Sequence, residues 1–170
     1  MGNILLFLGE PMNYDEMMEM DKVRFGDMPP QPFLLGLLSV FDNRYQAAAD
    51  AFFKEITWKQ FFAIICINLC KEPPTLNELS DVMGSSHQNV KQILLKLEKK
   101  GFVLMTPDEK DGRKQRISVT DKCRAFLEQN DNNGQQSRHI IGQIFDGIGE
   151  ESLQTTIQTI MKMERNLSRL

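Results

Sequence analysis

The stretch that decides the fold is TLNELSDVMGSSHQNVKQILLKLEKKGF, residues 75–102. Apolar residues recur every three or four positions in both halves, which predicts two amphipathic helices. Leu76, Leu79 and Val82 are the expected inner face of the first helix. Gly84 separates the halves, and glycine is the residue best able to take the left-handed conformation that ends a helix. The stretch therefore predicts a helix, a tight turn and a second helix, the helix-turn-helix layout.

Hydroxyl side chains mark the expected helix starts. Thr57 precedes Gln60, and Thr75 precedes Glu78, at the spacing of the capping box, in which the two side chains bond each other's backbone N–H groups. Ser86 is the predicted N-cap of the second helix of the pair. These three caps indicate three consecutive helices.

The second helix starts with residues that suit neither a core nor a strong helix. Val90, Leu94 and Leu97 form its apolar face, and polar residues occupy the opposite face. In a helix-turn-helix this helix enters the DNA major groove, where amides can pair with adenine and lysines can reach guanine or phosphate. A polar stripe that merely faces solvent is the alternative. The predicted DNA-contacting residues of this helix are Ser86, His87, Gln88, Asn89, Lys91, Gln92 and Lys96.

A β-hairpin is predicted directly after this helix. FVLMT (102–106) and QRISVT (115–120) have the composition of strands, and the charged PDEKDGRK (107–114) joins them. A hairpin in this position is a wing. We expect Lys110 and Arg113, in its turn, to contact phosphate and the minor groove.

Helices are also predicted on both sides of this lobe. The MPPQP segment (28–32) is expected to prevent helix before Phe33, where a helical pattern begins. Residues 61–70 are apolar nearly all round, which predicts the buried centre of the domain. Residues 120–145 and 150–170 carry two further helical patterns.

Charge is unevenly distributed along the 170 residues. The chain has a net charge of −3, yet the window 85–116 holds eight Lys or Arg and four acids, a net charge of +4. A basic island in an acidic chain is typical of a nucleic-acid contact surface, although a solvated face remains the alternative.

Other functions find little support in the sequence. No Ser/His/Asp order, phosphate-binding loop or dinucleotide glycine pattern is present, so no enzyme and no cofactor are expected. The two histidines and three cysteines lack the spacing of a metal site. Cys66 and Cys70 are expected to be inert buried thiols, and a redox role for Cys123 stays open. The odd cysteine count and the lack of a membrane-spanning run predict a protein of the reducing cytoplasm.

Two segments, LNELSDVMGSSHQNVKQILLKLEKKGFV (76–103) and DEKDGRKQRISVTDKCRAFL (108–127), resemble the MarR family of bacterial winged-helix repressors. Asp111 and Arg113 match the family's wing pattern D-x-R-D-x-R. Lys110 replaces the first Arg and lacks its planar hydrogen-bonding fork. The resemblance covers the chain from Phe33 onward.

The resemblance implies a mainly α fold with a small β-hairpin wing, in which terminal dimerisation helices flank the winged helix-turn-helix lobe. It implies a homodimer that binds a pseudo-palindromic DNA operator. The apolar stripes of the outer helices support the dimer independently, because they need a surface to pack on. The expected parts are an N-terminal extension (1–32), a dimerisation helix (33–56), the lobe (57–120), and a long helix with a C-terminal dimerisation helix (121–170).

Many members of that family release DNA when a small, often aromatic or phenolic, molecule binds. The resemblance therefore implies an apolar pocket near helices 33–55, 57–70 and 120–145, lined by Trp58, Phe61 or His139.

Two function classes follow from the sequence. The first is a DNA-binding transcriptional regulator, with repression as the expected mode. The second is a winged-helix module for protein–protein contact, in which the basic wing is only a solvated edge.

Overall fold

The computed structural model describes residues 29–52, 55–109, 111–132 and 141–170. Lys110, His139 and the first 28 residues of the expected N-terminal extension lie outside the described residues. The chain divides into two compact units, residues 1–120 and 121–170. The described elements are α1 (Pro30–Phe52), α2 (Trp58–Leu69), α3 (Leu76–Met83), α4 (His87–Lys99), β1 (Val103–Pro107), β2 (Gln115–Val119), α5 (Asp121–Asn132) and α6 (Glu150–Leu167). The expected mainly α fold with a β-hairpin is confirmed.

The core of the first unit forms where α2, α3 and α4 pack on one another and on the hairpin. Fully burying a Val, Leu or Ile side chain contributes roughly 1.5–3 kcal/mol, so this cluster is the main source of stability. The expected central position of residues 61–70 is confirmed except at their end, where Leu69 is exposed. The buried apolar residues of this unit are Ile56, Ala63, Ile64, Cys66, Ile67, Leu79, Val90, Ile93, Leu94, Leu97, Phe102, Val103 and Ile117.

The predicted helix caps are confirmed. Thr57 and Gln60 form a complete capping box at α2, and Thr75 and Glu78 form another at α3. The backbone N–H of Thr75 donates to Glu78 Oε2 over 2.7 Å. The Ser86 hydroxyl accepts the N–H three residues further on, at the start of α4. These local bonds satisfy first-turn N–H groups that have no acceptor within their helix.

The expectation that the proline-rich segment prevents helix before Phe33 is wrong. Helix α1 begins at Pro30, and the Phe33 N–H donates to the Pro29 carbonyl over 3.2 Å. N–H groups in the first turn of a helix have no partner within it, so Pro30 and Pro32 sacrifice no hydrogen bond there. The fixed φ of proline also suits the helical conformation.

Val82 does not belong to the inner face of α3. Leu79 is fully buried and Leu76 is half-buried, whereas Val82 is 50% exposed. Residues three apart on an α-helix differ by about 60° around its axis. Residues spaced strictly three apart therefore turn progressively away from the side of the helix that its neighbours cover. Val82, the last of the three, lies outside that side.

The hairpin is confirmed, with bounds one residue from those predicted at three of the four strand ends. Its strands are antiparallel, with Val103 opposite Val119 and Met105 opposite Ile117. Ile117 is buried, and its N–H donates to the Pro74 carbonyl over 2.9 Å. The segment that leads into α3 thus holds the second strand of the hairpin.

The second unit contains α5, a helical turn at 141–144, and α6. Residues 133–140 lie outside the described residues, so the expected helix over 120–145 is described only in part. Helix α6 has no buried residue. Within the described ranges, no helix combines the length and apolar character needed to cross a membrane.

Replacing Gly84 tests the turn between α3 and α4. Its φ is +57°, and an added Cβ would meet nothing within 4 Å, so backbone strain alone should act. We expect Gly84→Ala to lower the free energy of unfolding by about 1 kcal/mol, measured by urea denaturation. Gly112, where an added Cβ also meets open space, is the control, and Gly112→Ala should change stability by less than about 0.5 kcal/mol. Equal stabilities of the two variants would contradict the role of Gly84.

Candidate nucleic-acid interface

The two faces of α4 differ completely in exposure. Val90, Leu94 and Leu97 are at most 1% exposed, and Ile93 is also buried. The packing of this face leaves the opposite face of the helix to solvent. Every residue predicted here is exposed, namely Ser86, His87, Gln88, Asn89, Lys91, Gln92 and Lys96. The structure therefore places these seven side chains at the start of α4 and along its exposed face.

Asn89 is the most constrained of these residues. Its Nδ2 donates to Ser85 Oγ over 2.9 Å, and its backbone N–H donates to Ser86 Oγ over 3.3 Å. An asparagine amide has two N–H donors and one carbonyl acceptor. The bond to Ser85 uses one donor, so the acceptor and the second donor suffice for a bidentate contact with adenine.

At the tip of the wing, Arg113 has a side chain that is 92% exposed. Its Nε donates to Asp111 Oδ1 over 3.1 Å, and its backbone N–H donates to the same oxygen over 3.2 Å. The hydrogen bonds from Arg113 hold the pKa of Asp111 below its ordinary value, and the charge of Lys114 lowers it further. The ionised Asp111 thus orients a guanidinium that faces solvent.

Arg116, on β2 close to the turn of the wing, has contacts that the sequence did not indicate. Its Nε donates to Asp108 Oδ2, and its Nη1 donates to the Pro73 carbonyl over 3.0 Å and to Glu78 Oε2 over 3.3 Å. These partners lie 8, 43 and 38 residues away in the sequence. No local pattern could therefore reveal them.

Lys100 is exposed, but its ammonium group binds oxygens of the protein itself. Its Nζ donates to the Glu55 carbonyl and to Gln60 Oε1, the latter over 3.3 Å. Gln60 is buried and also accepts the Thr57 N–H in the cap of α2. Lys100 therefore ties the end of α4 to the start of α2.

Two of the three residues predicted to line a ligand pocket, Trp58 and Phe61, belong to an aromatic cluster between α1 and α2. The Trp58 ring meets Tyr45 edge-on, with ring centroids 4.7 Å apart, and meets Phe61 at 5.9 Å and Phe62 at 6.1 Å. Trp58 and Phe61 are half-buried. Burial raises the pKa of Tyr45, which keeps its hydroxyl protonated. The third predicted residue, His139, lies outside the described residues.

The three cysteines form no disulfide. Burial raises the pKa of Cys66 and of Cys123, and Arg124 opposes the shift at Cys123 only in part. The Cys70 thiol donates to the Cys66 carbonyl over 3.3 Å. Because the thiolate is the reactive form, a raised pKa disfavours redox or nucleophilic chemistry at Cys66 and Cys123. In the part of the chain that the structure describes, no group of three His, Cys, Asp or Glu residues could hold a metal ion.

One sequence-family model matches part of the chain. The sequence model of the MarR family matches residues 56–114, the region from the start of α2 through the turn of the wing. This match covers the helix-turn-helix and the exposed face of α4.

Solved structures share the fold over most of the chain. The MarR protein from Peptoclostridium difficile is 23% identical, with a TM-score of 0.69 over 80% of this chain and 88% of that one. A MarR/EmrR family transcriptional regulator from Acinetobacter sp. ADP1 is 13% identical, with a TM-score of 0.71 over 84% of this chain and 100% of that one. A mutant MarR from E. coli complexed with operator DNA is 21% identical, with a TM-score of 0.68 over 83% of this chain and 98% of that one.

Glu78 should make stability depend on pH. Hydrogen bonds from the backbone and hydroxyl of Thr75 hold its pKa below its ordinary value of 4.5, and the charges of Arg116 and Lys114 lower it further. A carboxyl whose pKa is lower in the folded state stabilises the fold at neutral pH. That stabilisation is lost as the pH falls through the ordinary pKa toward the lower one.

We therefore expect Glu78→Gln to be less stable than the wild type at neutral pH and to approach it as the pH is lowered. Glutamine keeps an oxygen for the Thr75 N–H but carries no charge. Urea denaturation between about pH 7 and pH 3 measures the difference. Asp81→Asn, at an exposed acid of the same helix, is the control. A gap between Glu78→Gln and wild type that stays constant with pH would contradict this assignment.

Proposed function

Because the MarR family model matches residues 56–114, we propose that this protein is a sequence-specific DNA-binding transcriptional regulator that acts as a repressor. The observation that carries the proposal is α4, which has one face buried and a polar face exposed and is followed by a wing. The MarR family consists of transcription factors and not of enzymes, which agrees with the lack of a catalytic pattern in the sequence.

In the proposed complex, α4 lies in the major groove. Gln88, Asn89 and Gln92 recognise base edges, since side-chain amides offer paired donors and acceptors to adenine. Lys91 and Lys96 are placed for phosphate or guanine. Ser86 and His87 lie at the helix N-terminus, whose N–H groups favour a phosphate.

The wing supplies the second contact. Asp111 engages Nε of Arg113, so the terminal nitrogens of the guanidinium are the ones proposed to meet phosphate and the minor groove. Lys110 is proposed to act beside it. Contacts of this kind give affinity and salt dependence, whereas contacts with base edges give specificity.

The protein is further proposed to be a homodimer on a pseudo-palindromic operator. Helix α6 exposes Ile157, Ile160 and Leu167, and α1 exposes Leu35 and Phe41. Helices with uncovered apolar stripes gain stability when another surface covers them. A two-fold axis would place two α4 helices in successive major grooves.

A small aromatic or phenolic ligand is proposed to release the DNA. The support is the half-buried cluster of Trp58, Phe61 and Tyr45, which offers aromatic rings where α1 meets the lobe that carries α4. The lack of a disulfide among the three cysteines and the proposed role on DNA fit a location in the cytoplasm. The competing function is a protein–protein module, and it predicts no salt-dependent binding to duplex DNA.

Gln92 and Arg113 should contribute to DNA binding in different ways. An operator is first selected from genomic fragments with the pure protein. Gln92→Ala should then weaken operator binding by roughly 1–3 kcal/mol and relax specificity at one position of each half-site. Arg113→Ala should weaken binding to most sequences and reduce the slope of log K against log salt by about one unit for each phosphate that is no longer bound. The half-sites should lie about 10 base pairs apart.

The measurement is a titration of each protein on operator and scrambled duplex at several salt concentrations. Glu98→Gln lies in the last turn of α4 and is not among the predicted DNA-contacting residues. It is the matched control and should bind as the wild type does. Unchanged operator binding by Gln92→Ala, together with an unchanged salt slope for Arg113→Ala, would reject this orientation on DNA.

The dimer is tested on α6. Changing Ile157 and Ile160 to Lys should weaken association by roughly 2 kcal/mol or more, because a charge in a covered apolar interface lacks a partner. Thr155→Lys adds one such charge to the other side of the helix and should leave the dimer intact. Native mass spectrometry at micromolar concentration measures the species. A monomeric wild type would contradict the proposed dimer.

A further inference from the structure

Close to the turn, the wing is held by one side chain that contacts two other segments of the chain. Arg116 lies on β2 and pairs with Asp108, which immediately follows β1. The same guanidinium donates to the Pro73 carbonyl and to Glu78, in the segment that begins α3. The Arg116 side chain is 32% exposed, and that of Asp108 is 8% exposed. Arg116 therefore joins both strands of the wing to the helix-turn-helix.

The contacts of Arg116 supplement a short backbone connection at the same place. Thr75 forms an isolated bridge with Arg116, and the Ile117 N–H donates to the Pro74 carbonyl over 2.9 Å. Glu78 is shared, since its Oε2 also accepts the Thr75 N–H over 2.7 Å. The Glu78 carboxylate thus takes part both in the N-terminal cap of α3 and in the attachment of the wing through Arg116.

Arg113 and Arg116 have different surroundings although they lie in the same hairpin. Arg113 pairs with Asp111, two residues away, and is almost fully exposed. Its ion pair lies within the turn of the wing and cannot fix the wing to another element. Arg116 reaches across to α3, and its guanidinium is engaged at Nε and at Nη1.

We propose that Arg116 is a positioning residue that fixes the wing relative to α3, and through α3 relative to the DNA-facing helix α4. The inference rests on the proposed function and goes beyond it, because Arg116 acts on DNA binding without touching DNA. With Arg116 in place, the wing and α4 meet the duplex at a set spacing. Without it, the wing samples several orientations, and part of the binding free energy is lost when one of them is selected.

An arginine is required for this role because its planar fork directs several donors to fixed places. Lysine has a single ammonium, which can stay near Asp108 or Glu78 but cannot reproduce the directed bond to the Pro73 carbonyl as well. The hairpin itself does not depend on Arg116. Its strands pair from Val103 opposite Val119 to Pro107 opposite Gln115.

The first test is made without DNA. Arg116→Met keeps much of the apolar stem and removes the guanidinium. Hydrogen exchange of the Ile117 amide, which bonds the Pro74 carbonyl, should be faster in Arg116→Met than in the wild type, while the amides of α4 keep their rates. Arg124→Met removes an exposed arginine from α5 and is the control, with no change expected at Ile117. Unchanged exchange of the Ile117 amide in Arg116→Met would overturn the proposal.

The second test measures DNA binding. Arg116→Met should weaken operator binding roughly 3- to 30-fold, the usual range for residues that act without contacting the ligand. Hydroxyl-radical footprints should lose protection where the wing lies and keep it where α4 lies. Arg116→Lys should recover part of the affinity. Loss of both footprints in proportion to a fall in unfolding free energy would mean that Arg116 serves only the fold.

A double-mutant cycle with Arg113→Met separates the two roles. If Arg116 acts through the wing, its replacement should matter less once Arg113 is gone, so the two effects should be clearly less than additive. Additive effects would overturn the positioning role. Failure of the wild type to bind any duplex would instead reject the proposed function, and the exchange of the Ile117 amide would still decide whether Arg116 fixes the wing.

Discussion

The burial of one face of α4 is the constraint on which the rest of the lobe depends. Val90, Leu94 and Leu97 pack into the space between α2, α3 and β1, and this fixes the rotation of α4 about its own axis. A rotation by one residue, about 100°, would move polar side chains into the core. Burying an amide without a partner costs roughly 1–3 kcal/mol, so that arrangement is disfavoured. The outward direction of Gln88 and Gln92 is therefore a consequence of core packing.

The charge presented at the surface is smaller than the count of basic residues suggests. Of the eight Lys and Arg between residues 85 and 116, Lys100 and Arg116 bind oxygens of other structural elements of the protein. Their role is to connect elements: α4 with the start of α2, and the wing with α3. Lys91, Lys96 and Arg113 remain exposed. Counting charges identifies a basic region, but only the contacts of each charge tell which ones face outward.

Features that depend on neighbours in sequence were predictable. The caps at Thr57, Thr75 and Ser86 and the left-handed Gly84 follow from interactions within three residues, and each is confirmed. The start of α1 was predicted wrongly because a rule for helix interiors was applied to a first turn, where Pro30 fits.

Features that depend on distant contacts were not predictable from the sequence. Periodicity places Val82 beside Leu79, but the neighbouring elements decide where the covered face of α3 ends. The anchoring role of Arg116 depends on Glu78 and Pro73, which only the fold brings near. The exposure of the predicted face of α4 agrees with expectation, whereas its contact with DNA stays a prediction.

The separation of the two faces of α4 has a consequence for divergence among related proteins. Side chains such as Gln88 and Gln92 make no contribution to the core, and exposed substitutions of this kind usually change stability by less than about 0.5 kcal/mol. They can therefore vary without endangering the fold, whereas Leu94 and Leu97 cannot. A duplicated copy of this chain could acquire a new target through a few exposed substitutions while its scaffold stayed the same. Selection on stability and selection on target choice would then act on different residues of a single helix.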